Sequence, residues 1–307
     1  MVHDGEVAYR IDPAAPTPSE VRRVLREQVL RGAGALRVEG GPDAEAVHDV
    51  RKRLKKARSV LRLARADLGA TVRHHANVEL RGVGAALAGQ RDADAMVETA
   101  DRLLQVAPEG PTEAAVRDLR RWLAADADRL RAAGGLSRSV AIGSAQTLER
   151  TSTWLDAVPP RAEGWKALAV GFGRQYAKGR KAFAGLGPDP TDDQLHQWRK
   201  RAKDLWYHQR LLRNLWPEAQ RPIMEAASHL SDVLGDDHDL AVLVGRLTGD
   251  GAESMTDRNL VVRLAGAERA RLQAEARLLG ARLYADEPKP WVARHGAWWA
   301  VANGSAA

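Results

Sequence analysis

Apolar positions along this chain recur every three or four residues over most of its length, the spacing that gathers them on one face of an α-helix. Alternating Val/Ile/Thr runs are scarce and no Asn-Gly pair stands between two of them, so hairpins are not expected. Thr17-Pro18-Ser19-Glu20 carries a capping signal and opens a helix predicted to run to about Arg31. Gly40-Gly41-Pro42-Asp43 breaks the chain, and a long helix follows from Ala44 to about Leu68. Further helices are predicted near Thr71–Leu104, broken around Gly89, and near Thr112–Ala132, with stops at Gly134-Gly135 and Pro159-Pro160. Beyond these stops the periodicity predicts helices near Gly164–Phe183, Asp192–Leu215, Ile223–Leu247 and Thr256–Tyr284, with Pro217 and Pro222 as interruptions. Residues 1–17 are Pro- and Ala-rich and expected to be loose. Residues 286–307, an aromatic tail, do not declare a structure.

An internal repeat organises this pattern. AVHDVRKRLKKARSVLRL in the first half is echoed by QLHQWRKRAKDLWYHQRLL in the second, with His48 on His196 at an offset of 196 − 48 = 148. A second echo sets LAGQRDADAM against LGDDHDLAVL, Arg91-Asp92 opposite His238-Asp239 at 238 − 91 = 147. Two echoes in one order predict two copies of a four-helix unit, about 18–135 and 164–285, packed about a pseudo-two-fold axis. At about 100° per residue, His48, Arg51, Lys52, Lys55 and Arg62 share a face, and Val47, Val50, Leu54, Ala57 and Leu61 lie opposite. In the second copy His196, Arg199, Lys200, Lys203, Tyr207 and Arg210 gather against Leu195, Trp198, Ala202 and Leu205.

Charge sharpens the point. Lys and Arg number 47 against 40 Asp and Glu, a formal net charge of +7, which favours anionic partners without naming one. Residues 50–66 contain no acid. Like charges stacked at i, i+3 and i+4 destabilise an isolated helix by a few tenths of a kcal/mol per pair, so a helix selected only for solubility would interleave Glu. Two unrelieved stripes make sense if a polyanion supplies the counter-charge, Arg offering a planar fork to phosphate and Lys a point charge. A single basic run is most often a solvated face, but two in matching phase favour a site.

These motifs resemble the conserved histidine α-helical domain, the CHAD family, whose hallmark is a His followed by regularly spaced Arg and Lys on a long helix, once per repeat. GFGRQYAKGRKAF, with Tyr176 and Arg180, resembles the first helix of that family's second repeat. The resemblance covers about residues 18–285. It implies an all-α fold of two four-helix bundles around a central basic groove that binds inorganic polyphosphate without turnover. Carried onto this chain, the ligand shell comprises His48, Arg51, Lys52, Lys55 and Arg62 with His196, Arg199, Lys200, Lys203 and Arg210, Tyr207 standing on the same face and Arg26 and Arg180 as outlying candidates. Asp204, where the first repeat has Lys56, makes the second wall less cationic than the pattern asks. No ExExK triphosphate-tunnel pattern occurs.

Other functions fare less well. There is no GxxxxGK[ST] loop and no cysteine, which excludes a P-loop, thiolate metal sites and cysteine nucleophiles. Asp236-Asp237-His238-Asp239 reads as a helix N-cap rather than a metal site, and neither a metal nor a cofactor is expected. Nucleic acid is the rival polyanion, yet single-strand readers add exposed aromatics, and Trp198, Trp122, Trp154 and Trp165 read as core. Trp291, Trp298 and Trp299 offer a surface for a partner or a polyphosphate storage granule unless the tail folds back. With no secretory signal or 20-residue apolar run, the expected location is the cytoplasm.

Overall fold

The computed structural model describes residues 9–88, 90–132, 136–249, 255 and 257–305. Among them are eleven helices and no strand: α1 (Thr17–Leu36), α2 (Ala44–Leu63), α3 (Arg65–Ala86), α4 (Gln90–Gln105), α5 (Pro111–Ala132), α6 (Arg138–Asp156), α7 (Gly164–Ala184), α8 (Asp192–Leu211), α9 (Pro217–Thr248), α10 (Arg258–Leu283) and α11 (Pro288–Ala302). The all-α expectation holds. Within the expected repeat bounds, 18–135 holds five helices, α1 to α5, and 164–285 holds four, α7 to α10, while α6 and α11 lie outside both. The two His-bearing helices differ in position by 148 at both ends, 192 − 44 and 211 − 63, the offset of the sequence echo.

Local chemistry sets these bounds. Asp43 caps α2 by accepting from the Ala46 amide at 2.7 Å. Thr191 and Gln194 form a reciprocal capping box at the start of α8. The helix expected over Ala44–Leu68 stops at Leu63, where the chain turns into α3, and α3 bends again at Gly69, whose φ of 72° is left-handed. Buried Asp67 anchors that corner, accepting from Arg22 at 2.8 Å and from the Arg161 amide at 3.1 Å. Pro222 does not interrupt α9, because it lies exposed in the second turn, where the carbonyl it leaves without a donor faces water. The acidic run Asp236–Asp239 is therefore mid-helix and caps nothing. Asp237 is buried and accepts from Arg269 Nε at 3.0 Å and Gln273 Nε2 at 2.8 Å. Arg91 and Asp92, half of the second sequence echo, lie outside the described side chains.

In the first half α1 packs on α2 and α6, α3 on α2 and α6, and α4 on α5; in the second α8 lies between α7 and α9, α9 packs on α10, and α11 on α7. The halves meet where α2 and α3 cross α7, α2 crosses α8, α4 meets α9 and α5 meets α10. One apolar core runs through both halves. Trp198 is fully buried in it against Phe183, ring centroids 5.2 Å apart.

Two terminal segments differ from expectation. Residues 9–16, assigned to a loose N terminus, are tied down: Tyr9 and Ile11 are buried, the Tyr9 hydroxyl donates to the Lys56 carbonyl at 3.1 Å, and the Ile11 amide donates to the Leu211 carbonyl at 2.8 Å. Their apolar side chains cover the seam between α2 and α8. The aromatic tail forms α11 and folds back: Trp291 stacks on Tyr176 at 4.5 Å, and both Trp291 and Trp299 are 3% exposed. Only Trp298 of that trio keeps an accessible edge, beside exposed Trp216, so the proposed surface loses two of its three tryptophans. Trp154, expected in the core, is 37% exposed and lies edge-on to His75.

Candidate anion-binding site

A cavity of about 340 Å³ lies between α2 and α8, lined by Lys55, Arg58 and Arg62 from one helix and by His196, Arg199, Lys200, Arg201, Lys203, Asp204 and Tyr207 from the other. Among the described residues, seven Lys and Arg thus surround a space that contains one carboxylate. The apolar stripes explain the placement: Leu54, Ala57 and Leu61 on α2 and Trp198, Ala202 and Leu205 on α8 are buried, which turns the cationic faces toward the seam between the halves.

The charges repel across that space. Lys55 keeps solvent contact, yet its ammonium is pushed down to about 8, first by partial withdrawal from bulk water and then by Lys203, Arg51 and Arg199. Lys203 is lowered by burial and then by Arg199. The Arg58 guanidinium is also lowered, by burial and then by Arg62 and Arg81. Of the expected residues, Lys55, Arg62, His196, Arg199, Lys200, Lys203 and Tyr207 meet in this cavity. Arg51 lines an adjoining recess with Lys55 and Arg58, donating to the Leu87 carbonyl at 3.4 Å. Lys52 is exposed and His48 half-buried on the turns of α2 leading to Lys55; neither is part of the lining of this cavity.

Three expected residues lie elsewhere. Arg210 is 8% exposed and packs its guanidinium over Trp206 at 5.2 Å and Tyr9 at 5.7 Å; the N-terminal segment covers it. Arg26 pairs with Asp156 at 2.8 Å on the outer face. Arg180 pairs with Glu287 and donates to the Tyr284 carbonyl at 3.3 Å. In return, Arg58 and Arg201 enter the lining from positions off the two stripes, because a long Arg side chain reaches around its helix.

Asp204 is the lone carboxylate of the lining among the described residues, 3% exposed and held by Arg62 at 2.6 Å and Arg201 at 3.2 Å. Helix α9 packs against α8 beside the cavity. Gly235 leaves room for Arg199, whose guanidinium lies 3.6 Å from where a Cβ would stand. One turn on, the His238 ring stacks on His196 at 4.5 Å. Both imidazoles are held below their usual pKa. Burial is the leading cause for each, followed by Lys200, His238 and Arg199 for His196 and by Arg199 for His238. On the same face of α9, Asp236 and Asp239 each stand 3.3 Å from Arg102 of α4. The Nε of Arg62, the Nε of Arg199 and the Nδ1 of His196 are buried and have no hydrogen-bond partner among the described residues, donor and acceptor capacity that a bound group would satisfy.

No helix of the described residues is long and apolar enough to cross a membrane. No curated protein matches the chain by sequence. Its fold is similar to that of PptA from Streptomyces chartreusis, with a TM-score of 0.59 at 18% identity over 89% of this chain and 100% of that one. It is similar also to the CHAD domain from the plant Ricinus communis, with a TM-score of 0.63 at 18% identity over 91% and 95% of the two chains. The CHAD domain family matches residues 23–248, a span that includes both His helices and all of the cavity lining: the chain belongs to the CHAD family.

Proposed function

We propose that the cavity between α2 and α8 captures inorganic polyphosphate, or a closely similar phosphate chain, and does not turn it over. The observation that carries this reading is the cavity lining itself, seven Lys and Arg around one carboxylate. A fold gains nothing from packing like charges together in partial isolation from water, whereas a phosphate chain would relieve the repulsion and accept charge-assisted hydrogen bonds. We read the two His helices as copies of one unit that supply opposite walls. A ligand without bases fits the lining, where Tyr207 is 5% exposed and the His196 ring is already stacked on His238, so neither offers much face for a base.

Turnover would need a carboxylate free to hold a metal ion or to activate water. Asp204 is committed to two arginines, the α9 carboxylates Asp236 and Asp239 are shared with Arg102, and Asp232, one turn earlier on α9, faces the Lys203 ammonium. Storage, targeting and granule association would all use this same capture step.

Calorimetric titration tests the reading. Arg199→Ala is expected to weaken polyphosphate binding by about tenfold, the loss of one forked contact to phosphate, while the thermal midpoint stays close to that of the native chain. Unchanged affinity in this variant rejects the assignment. If RNA displaces polyphosphate at equal phosphate concentration, the preference for a base-free chain is wrong. Phosphate released from polyphosphate by the pure protein with Mg²⁺ would make it an enzyme.

A further inference from the structure

A second group of cations gathers at the far end of α2, where α7 crosses the α2–α3 break. The crossing is close because residue 171 is glycine: a Cβ there would stand 2.0 Å from the Leu63 carbonyl oxygen and 2.4 Å from that of Arg62. Arg174 and Lys178 follow Gly171 by three and seven residues, on one face of α7, and both are exposed. Arg62 and Arg65 flank the break itself, and Arg73 lies further along α3. Arg201 approaches from α8. The Arg73 guanidinium is held below its usual range by burial and then by Arg65, Arg174 and Arg62. Lys178 is lowered by burial and then by Arg201 and Arg174, with Asp204 acting in the opposite sense.

Among the described residues Arg65, Arg73, Arg174 and Lys178 make no ion pair, although this fold pairs its arginines freely elsewhere, Arg269 with Asp237 at 3.0 Å being one case. The Nε of Arg73, like that of Arg62, is buried without a hydrogen-bond partner. The cluster is joined to the cavity through Arg62 and Arg201, which line that cavity as well. Asp204, gripped by those two arginines, lines the cavity and also acts on Lys178 of the cluster.

We propose that the crossing of α7 over the α2–α3 break is a second phosphate subsite, reached by a phosphate chain that leaves the central cavity past Asp204. This rests on the cavity reading above and adds a length requirement to it. A short chain fills the cavity alone, and a longer one also engages Arg73, Arg174 and Lys178.

The test is calorimetric titration of the full chain with tripolyphosphate and, separately, with a polyphosphate of several dozen phosphates. Arg174→Gln/Lys178→Gln changes two exposed helical positions and is expected to fold as the native chain does. Its affinity for tripolyphosphate is expected to stay within about two-fold, and its affinity for the long chain to fall about tenfold, the loss of two charge-assisted contacts. Arg73→Gln, made separately, is expected to repeat that pattern. Native-like binding of the long chain by both variants overturns the proposal, and so does an equal loss for both ligands, which would mean a single undivided site. A native chain that binds neither ligand sinks the cavity reading itself and this proposal with it, a result distinct from any variant effect.

Discussion

At the residue scale, two groups in the cavity make opposite predictions about charge. Lys55, pushed down to about 8, is partly neutral just where solution measurements are convenient. Bound phosphate favours its charged form and raises its pKa, so binding near pH 8 takes up protons, and affinity falls as pH rises through about 8. Titrations in buffers of different ionisation enthalpy measure that uptake. Apparent binding enthalpies that do not vary between buffers at this pH would rule out a ligand beside Lys55. His196 and His238 add a second phase lower on the scale. Around them stand Arg199 and Lys200 with Asp192, Asp193, Asp237 and Asp239, and because both imidazoles are lowered, their added charge strengthens binding only as pH falls below the ordinary histidine range. Asp204 works the other way. Asp204→Asn leaves Arg62 and Arg201 facing each other without their shared counter-ion, a loss of about 2 kcal/mol given that both arginines keep some water contact. It also removes the one negative charge in the lining. The expected outcome is a thermal midpoint several degrees lower with tighter polyphosphate binding. The sequence already marked Asp204 as a departure from the repeat. It did not reveal that the carboxylate is buried and doubly paired, because that depends on Arg62 arriving from 142 positions away in the chain, 204 − 62.

At the scale of elements, legibility followed the size of the buried side chains. Helices α2 and α8 were plain in the sequence because Val50, Leu54, Leu61, Leu195, Trp198 and Leu205 mark a wide apolar stripe. Helix α6 is hard to see in the sequence because its buried face is built from Ala141, Ser144, Ala145, Thr151 and Ser152 around Leu148 and Leu155, a stripe that hydrophobic periodicity barely registers. Thr147 and Thr151 donate back to the carbonyls of Gly143 and Thr147 at 3.0 and 2.8 Å, which satisfies their hydroxyls within the helix. Helix α11 is obscured for a different reason: proline breaks a helix interior, yet Pro288 and Pro290 occupy the first turn, where no amide donor is needed. The crossing of α7 over α2 was invisible for a third reason. Gly171 carries no pattern at all, and its demand for space arises only from the Leu63 carbonyl across the seam. Gly171→Ala is expected to push the two halves apart at a cost of about 3 kcal/mol or more, read as a shifted midpoint in urea unfolding. A native-like midpoint would show that α7 can slide without loss, and that the close crossing is not what holds Arg174 beside Arg62.

At the scale of the whole molecule, the excess of +7 charges understates the local field, since most arginines outside the seam are paired on their own helix or with a neighbour, as Arg37 is with Glu149 at 2.7 Å and Arg22 with Asp67 at 2.8 Å. Net charge could not have located the site. The matching phase of the two stripes could, but it could not tell which ends of them meet: α2 and α8 cross toward Lys55, Arg62, Arg199 and Lys203, and they leave Arg210 under the N-terminal segment. The field so concentrated has a consequence that separates capture of a phosphate chain from ordinary packing. A flexible polyanion carries condensed counterions, and each phosphate neutralised by a Lys or Arg releases some of them, so the logarithm of affinity falls linearly with the logarithm of salt concentration, at about 0.7 per contact for a single strand. Seven cations less one carboxylate line the cavity, so engagement of them all predicts a slope of about −4. Tripolyphosphate fills the cavity but has only three phosphates to neutralise these cations, so it is expected to show a shallower slope, and Asp204→Asn a steeper one with the long chain. Titrations from low to physiological salt measure all three slopes. A nearly flat response for the long chain would mean that the ligand is held by something other than these charges, and the convergence of α2 and α8 would then have to be explained without a polyanion.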